Sequence, residues 1–279
     1  MEEQGLISEL NLSNVPEDCL SNILSRTSPR DACGCAVLCS KLRSAAQSDI
    51  VWQKFLPHCW EYIVSRSVSP SEFASKKELY FHLCHSLVLV EGTKNKSFAL
   101  DKNSGKICLT LGPGELSMTW DKNSFRATME EFGLRFSEVT HIDDVGQLLI
   151  QATVKRRFLS PNTHYVAYFL YESRFNMLEF PPLLGVGIRF VEEGIEKNVI
   201  HDAYLDDDLF SRDNEGFHPR HRDDGWTEIE MGEFFNGDVD VDDDGGDVVE
   251  IFLWEVRGAY IRMIRNGLVV QGIELRPKV

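Results

Sequence analysis

The chain has 279 residues, of which 43% are hydrophobic and 26% are charged, and its formal net charge is −15. This composition is that of an ordinary soluble protein and excludes a small scaffold held together by disulfides. No run of eighteen or more apolar residues occurs, so the sequence predicts no transmembrane helix. Acidic residues among the first five positions argue against a signal peptide. We therefore expect a cytoplasmic and nuclear protein.

The acidic charge lies mostly in the second part of the chain. Residues 93–279 carry 21 basic and 33 acidic side chains, whereas residues 1–92 carry 8 and 11. A surface this negative repels phosphate groups, which excludes nucleic acid and anionic membranes as expected partners. Neutral ligands and other proteins remain as partner classes.

Seven cysteines are present, an odd number, and most of them lie in the first 84 residues. This distribution indicates reduced, buried thiols rather than a disulfide framework. Zinc is the alternative for Cys33, Cys35 and Cys39. A helix would turn Cys33 away from Cys35, however, and no second CxxC or HxxxH half-site follows, so we expect no metal.

In chain order, the first predicted elements are short helices over residues 15–56. Pro16 suits a first helical turn, and Glu17 and Asp18 suit the positive end of the helix dipole. An apolar stripe follows, formed by Leu20, Ile23 and Leu24.

A second helix is predicted to begin at Ser28, which can cap it together with Asp31, while Pro29 fills the first turn. The spacing of Ala32, Cys35, Ala36 and Cys39 predicts that this helix continues through Cys39, and Val37 and Leu38 fall on a different face. A helix that is apolar on two faces must be covered on both.

A third short helix is predicted around Leu42, and a fourth, capped by Asp49, contains Val51 and Trp52. This set of helices is too small to bury a core of its own, which suggests that it binds a partner. The alternative is an ordinary helical subdomain packed on the rest of the chain. Residues 57–92 are predicted to be a helical linker, with a helix that starts near Ser75 and presents Leu79, Leu83 and Leu87 on one face.

From Lys94 onward, short alternating patterns separated by Gly, Pro, Asn and Asp replace the helical stripe. The clearest patterns lie at residues 148–154, 164–171, 184–191, 227–231, 248–256 and 268–275. Many short strands with turn signals between them predict an antiparallel β-sandwich of jelly-roll-like type. The predicted fold class is therefore α+β multidomain.

Two acidic runs could be mistaken for sites. Asp240, Asp242 and Asp244 copy the first half of a calcium loop, but position twelve falls on Ile251, and a strand pattern follows where a helix is needed. A solvated hairpin tip is the favoured interpretation, and residues 206–208 are interpreted in the same way as a charged loop. Nucleophile, P-loop, dinucleotide and HExxH motifs are all absent from the sequence, so we predict a protein without catalytic activity or cofactors.

The helical segment resembles an F-box. The resemblance rests on VPEDCL at residues 15–20, SPRDAC at 28–33, RSAA at 43–46 and VW at 51–52. It implies that the helices bind a Skp-type adaptor, which links them to a cullin-based ubiquitin ligase. The residues expected at this contact are Val15, Pro16, Leu20, Ile23, Leu24, Pro29, Val51 and Trp52.

The second part of the chain resembles the phloem protein 2 (Nictaba-related) lectins of plants. The matching segments are FALDKNSGK at residues 98–106, LSMTW at 116–120, RFSEV at 135–139, LSPNT at 159–163, DGWTEIEMGEFF at 224–235 and GLVVQGIELRPK at 267–278. The resemblance implies carbohydrate binding by Trp120, Phe125 and Glu255. The family's second tryptophan is absent, because Phe125 is the only aromatic residue that follows Trp120 closely. Trp120 as a buried core residue of the sandwich is the alternative.

These observations predict a flexible N-terminus at residues 1–11, an F-box at 12–56, a linker at 57–92 and a lectin-like sandwich at 93–279. The predicted function is the substrate-recognition subunit of an SCF-type (cullin-RING) E3 ubiquitin ligase. Its targets would be proteins, including glycoproteins bearing N-acetylglucosamine-type glycans. A carbohydrate-binding scaffold in stress or defence that recruits no ligase is the alternative.

Overall fold

A computed structural model describes residues 15–69, 71–90, 95–119, 125–128, 136, 138–144, 148–173, 183–192, 195–205, 216–238, 247–255 and 265–278. Within these residues the first part of the chain is helical and the second part is built from strands, which confirms the predicted fold class. The described helices are all too short to cross a membrane.

The described residues contain six α-helices: α1 (Glu17–Leu24), α2 (Pro29–Cys35), α3 (Ser40–Ala45), α4 (Asp49–Phe55), α5 (Trp60–Ser65) and α6 (Lys76–His85). Two of their predicted starts are confirmed by capping hydrogen bonds. The Ser28 hydroxyl accepts from the Asp31 amide at 3.1 Å, and the Ser75 hydroxyl accepts from the Glu78 amide at 3.1 Å.

The prediction of one helix from Pro29 through Cys39 is wrong, because α2 ends at Cys35. The amides of Val37 and Leu38 bond to carbonyls three residues earlier, at Gly34 and Cys35, which tightens the chain into a turn. Gly34 is a weak helix former and favours this end. As a result, Val37 and Leu38 are 75% and 72% exposed.

Two smaller predictions about the helices also need correction. Ser48 precedes α4, and Asp49 is the first helical residue, whose carboxylate accepts from the Lys76 amide at 2.8 Å instead of capping its own helix. Leu79 and Leu83 are buried on α6 as predicted, but Leu87 lies beyond the end of the helix and is exposed.

Fourteen strands lie in the part of the chain that the structure describes. The first eight are β1 (Val88–Leu89), β2 (Lys96–Leu100), β3 (Ile107–Leu111), β4 (Leu116–Thr119), β5 (Phe125–Thr128), β6 (Glu138–Asp144), β7 (Leu149–Lys155) and β8 (Thr163–Ser173). The other six are β9 (Leu183–Glu192), β10 (Ile195–Tyr204), β11 (Arg220–His221), β12 (Thr227–Asn236), β13 (Val248–Glu255) and β14 (Arg265–Pro277).

These strands form two antiparallel sheets. The larger has the order β1-β2-β3-β14-β8-β12-β11, with β6 also pairing with β14 and β5 with β6, and the smaller has the order β10-β9-β13-β7-β4. The sheets pack face to face: the ring of Phe190 on β9 lies 5.8 Å from that of Phe234 on β12. Tyr165, Ala167 and Phe169 point into this core, so the predicted antiparallel sandwich is confirmed.

Aromatic side chains pack the helices against one another and against the sandwich. Trp52 is fully buried, its indole N–H donates to the Ala46 carbonyl at 2.8 Å, and its ring contacts Phe55, Tyr80 and Phe81. On the strand side, the ring of Tyr62 on α5 lies 5.1 Å from that of Phe158, which follows β7. Buried side chains from both regions form one continuous hydrophobic core.

Candidate functional site

The predicted adaptor-binding residues divide into two groups in the structure. Leu20, Leu24, Val51 and Trp52 are at most 3% exposed, so they hold the helices together and do not form the surface. Val15 and Pro29 are half-buried. Pro16 is exposed and Ile23 is 57% exposed, so these two are available to a second protein.

The two most exposed of the described large apolar side chains on the helical region were missing from the predicted contact residues. Val37 and Leu38 lie on the turn between α2 and α3 and are more exposed than Ile23. The sequence did contain a signal, because Val37 and Leu38 were predicted to lie away from the stripe of buried small residues. Large apolar side chains held in water indicate an interaction surface when several occur on one small unit.

Hydrogen bonds fix the positions of these apolar side chains. The Ser21 hydroxyl on α1 donates to the Ala45 carbonyl on α3 at 3.2 Å, and the Ser44 hydroxyl donates to the Glu17 carboxylate at 2.6 Å. The guanidinium of Arg43 donates to the Ala36 carbonyl at 3.3 Å, which ties α3 to the turn. The helix that carries Ile23 and the turn that carries Leu38 are therefore held on the same support, α3.

The three residues of the predicted carbohydrate site are not brought together by what is described. Trp120 lies outside the described residues. Phe125 is on β5, where its backbone pairs with His141, and Glu255 is on β13, where it pairs with Leu184. The side chains of both also lie outside the described part. β5 belongs to the larger sheet and β13 to the smaller one. The described residues therefore do not place the three side chains next to one another, and the site stays a prediction.

A cavity of about 350 Å³ lies on the outer face of the larger sheet. Its floor comes from β8 and β12, and its wall comes from the segment that leads into β11. The residues that line it are Tyr168, Gly216, Phe217, His218, Pro219, Arg220, Glu228 and Glu230. No feature of the local sequence predicted this pocket, because its residues come from three separate segments.

A network of ion pairs borders the cavity. Arg222 contacts the carboxylates of Asp224, Glu228 and Glu274 at 3.1, 2.8 and 2.9 Å. Arg276 on β14 donates to Glu228 at 2.6 Å, and its guanidinium carbon lies 3.7 Å from the centre of the Tyr168 ring. These contacts hold Glu228 and Tyr168 in fixed positions, which preforms one side of the cavity.

Metal ligation is not supported in the described residues. Cys33, Cys35 and Cys39 are free thiols, and no cluster of three or more potential ligands occurs in the described part of the chain. The expectation that the thiols are buried is wrong for Cys19 and Cys39, which are exposed on α1 and immediately before α3. The acidic runs at residues 206–208 and 240–245 lie outside the described residues.

Comparison with known families gives two matches. The F-box domain family matches residues 12–54, and the family described as phloem protein 2 matches residues 106–277. Two similar Arabidopsis thaliana proteins are F-box protein At2g02240, 40% identical over 94% of this chain and 79% of its own length, and F-box protein PP2-B10, 37% identical over 94% and 92%.

A solved structure with partial likeness is the CBM22-1 xylan-binding domain from Paenibacillus barcinonensis Xyn10C. It is 8% identical, covers 60% of this chain and 87% of that domain, and superposes with a TM-score of 0.34. A superposition this loose carries no conclusion about binding.

Proposed function

This chain belongs to the plant F-box proteins that carry a phloem protein 2 domain, and we propose that it is the substrate-recognition subunit of an SCF-type (cullin-RING) E3 ubiquitin ligase. In this role the helical region binds a Skp-type adaptor, and the sandwich binds the target protein. The observation that carries the proposal is the exposed apolar surface of the F-box helices, whose most exposed members are Ile23, Val37 and Leu38.

Burial of these side chains would supply the free energy of binding. Fully burying one Val, Leu or Ile side chain is worth about 1.5 to 3 kcal/mol. Three such side chains on a preformed support can therefore make a large contribution to a stable interface. The buried residues Leu20, Leu24 and Trp52 would act indirectly, by holding α1 and α4 in place.

No catalytic step is assigned to this chain. A substrate receptor accelerates transfer by holding the target close to the ubiquitin-charged enzyme, which raises the effective concentration of the target without new chemistry. The proposal includes residence in the cytoplasm and the nucleus.

The adaptor interaction is tested by co-expressing the full chain with a Skp-type adaptor and measuring co-purification. The double variant Ile23→Asp, Leu38→Asp should lose the complex, because two charges would be forced into an apolar interface. The matched control is Ile200→Asp on β10, since Ile200 is 57% exposed, as is Ile23, but lies on the sandwich. An intact complex with the double variant would contradict the proposal.

Leu20→Asp is a poor test of the same contact. Leu20 is 2% exposed, so a charge there would unfold the helical region and abolish binding for an unrelated reason. The exposed positions avoid this ambiguity, because a polar substitution on the surface leaves the core intact.

A second proposed function is lectin-like recognition of glycoprotein targets, supported by the phloem protein 2 match over residues 106–277. Trp120, Phe125 and Glu255 are the proposed contacts, with an aromatic face against the sugar ring and a carboxylate as acceptor of hydroxyl hydrogens. A glycan array with the full chain should give binding to N-acetylglucosamine-type glycans that is lost in Trp120→Ala.

If no glycan on the array gives a signal, the proposed function is reduced to a receptor that recognises proteins and no sugars. Glycan binding together with a pull-down that contains no adaptor or cullin would favour the alternative, a carbohydrate-binding scaffold that recruits no ligase.

A further inference from the structure

The cavity on the outer face of the larger sheet is a preformed pocket. Tyr168 lies between Glu230 on β12 and Glu274 on β14 in the strand register, and Glu228 is two residues before Glu230, on the same face. The opposite wall is held by backbone hydrogen bonds in both directions: the Phe217 amide donates to the Asp202 carbonyl at 2.9 Å, and the Tyr204 amide donates to the Phe217 carbonyl at 3.0 Å.

The two carboxylates in this pocket differ in what they bind. Glu228 accepts from both Arg222 and Arg276, so its charge is already compensated. Glu230 is half-buried, and within the described part of the chain its carboxylate forms neither a hydrogen bond nor an ion pair. Burial and the nearby charge of Glu233 raise the pKa of Glu230, while Arg220, Lys278 and His201 oppose this effect. Glu230 is therefore the acceptor that remains open to a ligand.

Each aromatic ring of the pocket already packs against another side chain. Arg276 covers a face of Tyr168, the ring of Phe217 packs at 4.8 Å from His201, and the ring of His218 stacks at 5.3 Å on Tyr204. The group that these contacts leave without a partner is the Glu230 carboxylate. A compact cation can pair with this carboxylate directly, whereas a pyranose also needs an aromatic face to stack on.

We propose that this pocket binds one basic side chain, a lysine or an arginine, of a target polypeptide, with Glu230 as its ion-pair partner. The strongly acidic second part of the chain, with 33 acidic and 21 basic side chains in residues 93–279, favours approach of such a partner. Arg220 is exposed at the rim, where solvent screens its charge. The role in target selection rests on the proposed function, whereas cation binding itself does not require an adaptor.

The test is an NMR titration of the ¹⁵N-labelled full chain with Nα-acetyl-lysine methylamide and Nα-acetyl-arginine methylamide. At least one of them should cause saturable shifts in the amides of Tyr168, Arg220 and Glu230, and the uncharged norleucine analogue should not. Glu230→Gln should weaken this binding at least fivefold. The control is Glu233→Gln, which removes one charge from the same strand but lies outside the pocket, and it should retain binding.

Methyl N-acetylglucosaminide is titrated in parallel. Three outcomes would overturn the inference: no saturable shift with either cation, equal affinity in Glu230→Gln, or shifts caused by the sugar alone. The last would assign the pocket to a sugar instead. Adaptor co-purification, measured on the same Glu230→Gln protein, should be unchanged. A failure of cation binding is thereby distinguished from a failure of the proposed ligase role.

Discussion

The helical region at residues 15–90 and the β-sandwich bury their apolar side chains in different ways. Six of the nine large apolar side chains that are exposed in the described residues lie in the helical region, although it is the smaller of the two. Its helices have only 6 to 10 residues, too few to be stable alone. The sandwich instead buries both inner faces, and on its outer face Glu228 pairs with Arg222 and Arg276.

Under the proposed function, this difference identifies the region that another protein would complete. The sandwich buries side chains between its own two sheets, whereas the first helices depend on α6 and on the sandwich for part of their interior and leave apolar side chains such as Ile23, Val37 and Leu38 in water. The largest mutational effects on stability should therefore come from the contacts that hold the helical region to the rest of the chain.

Trp52→Ala should have the largest effect on stability. It removes a fully buried ring that contacts Phe55, Tyr80 and Phe81, together with the hydrogen bond to the Ala46 carbonyl. Loss of such a side chain costs about 3 to 5 kcal/mol. The measurement is chemical unfolding of the full chain, with Trp60→Ala, at a half-buried position, as the milder control. A loss below about 1 kcal/mol would show that the helical region does not depend on this contact.

Tyr165→Phe tests the sandwich at one buried hydroxyl. That hydroxyl accepts from the Ser160 amide at 2.9 Å and donates to the Ile107 carbonyl at 3.0 Å, so the variant leaves two buried groups unpaired. The expected loss is about 1 to 3 kcal/mol in the free energy of unfolding.

Tyr168→Phe is the matched control, since Tyr168 is on the same strand, and among the described residues its hydroxyl has no hydrogen-bond partner. It should change stability by less than about 0.5 kcal/mol. Equal losses for the two variants would refute the account of the buried hydroxyl.

Glu230→Gln should have the smallest effect on stability, within about 0.5 kcal/mol at neutral pH. Because the pKa of Glu230 is raised in the folded state, the native protein holds this proton to a higher pH than the unfolded chain does. Stability therefore falls as pH rises from the unfolded pKa to the folded pKa, and the variant should lack this decline.

The free energy of unfolding is measured between pH 4 and pH 7 for Glu230→Gln and for Glu233→Gln. The comparison distinguishes the effects of the two carboxylates on the pH dependence. Glu233 binds Lys278 through both oxygens at 2.6 Å. Burial raises the pKa of Glu230 more than the charge of Glu233 does, so removal of Glu233 should reduce the decline without abolishing it. An unchanged decline in Glu230→Gln would contradict the assignment.

Local signals in the sequence predicted the helix starts at Ser28 and Ser75 and the alternating strands, because capping and side-chain alternation depend on neighbouring residues. The end of α2 was missed, since the apolar spacing continues through a turn that Gly34 permits. The burial of Trp52 was also missed, because the rings that cover it lie on α6, nearly thirty residues later.

The pocket around Tyr168 could not be predicted for a related reason. It requires the register of β8 against β12 and β14, which includes a bulge between Glu230 and Gly232 and another between Val270 and Gly272. Gly272 has φ +151°, and a Cβ there would meet the Leu111 carbonyl oxygen. Such long-range pairings and close backbone approaches leave little trace in the pattern of a single segment.

Hydrogen–deuterium exchange of the full chain with and without a Skp-type adaptor tests the central claim most directly. We expect slower exchange at residues 20–42, where Ile23, Val37 and Leu38 would become buried, and unchanged exchange in β8. Slower exchange confined to the sandwich, or no change anywhere, would show that the exposed apolar surface of the helices is not where the adaptor binds.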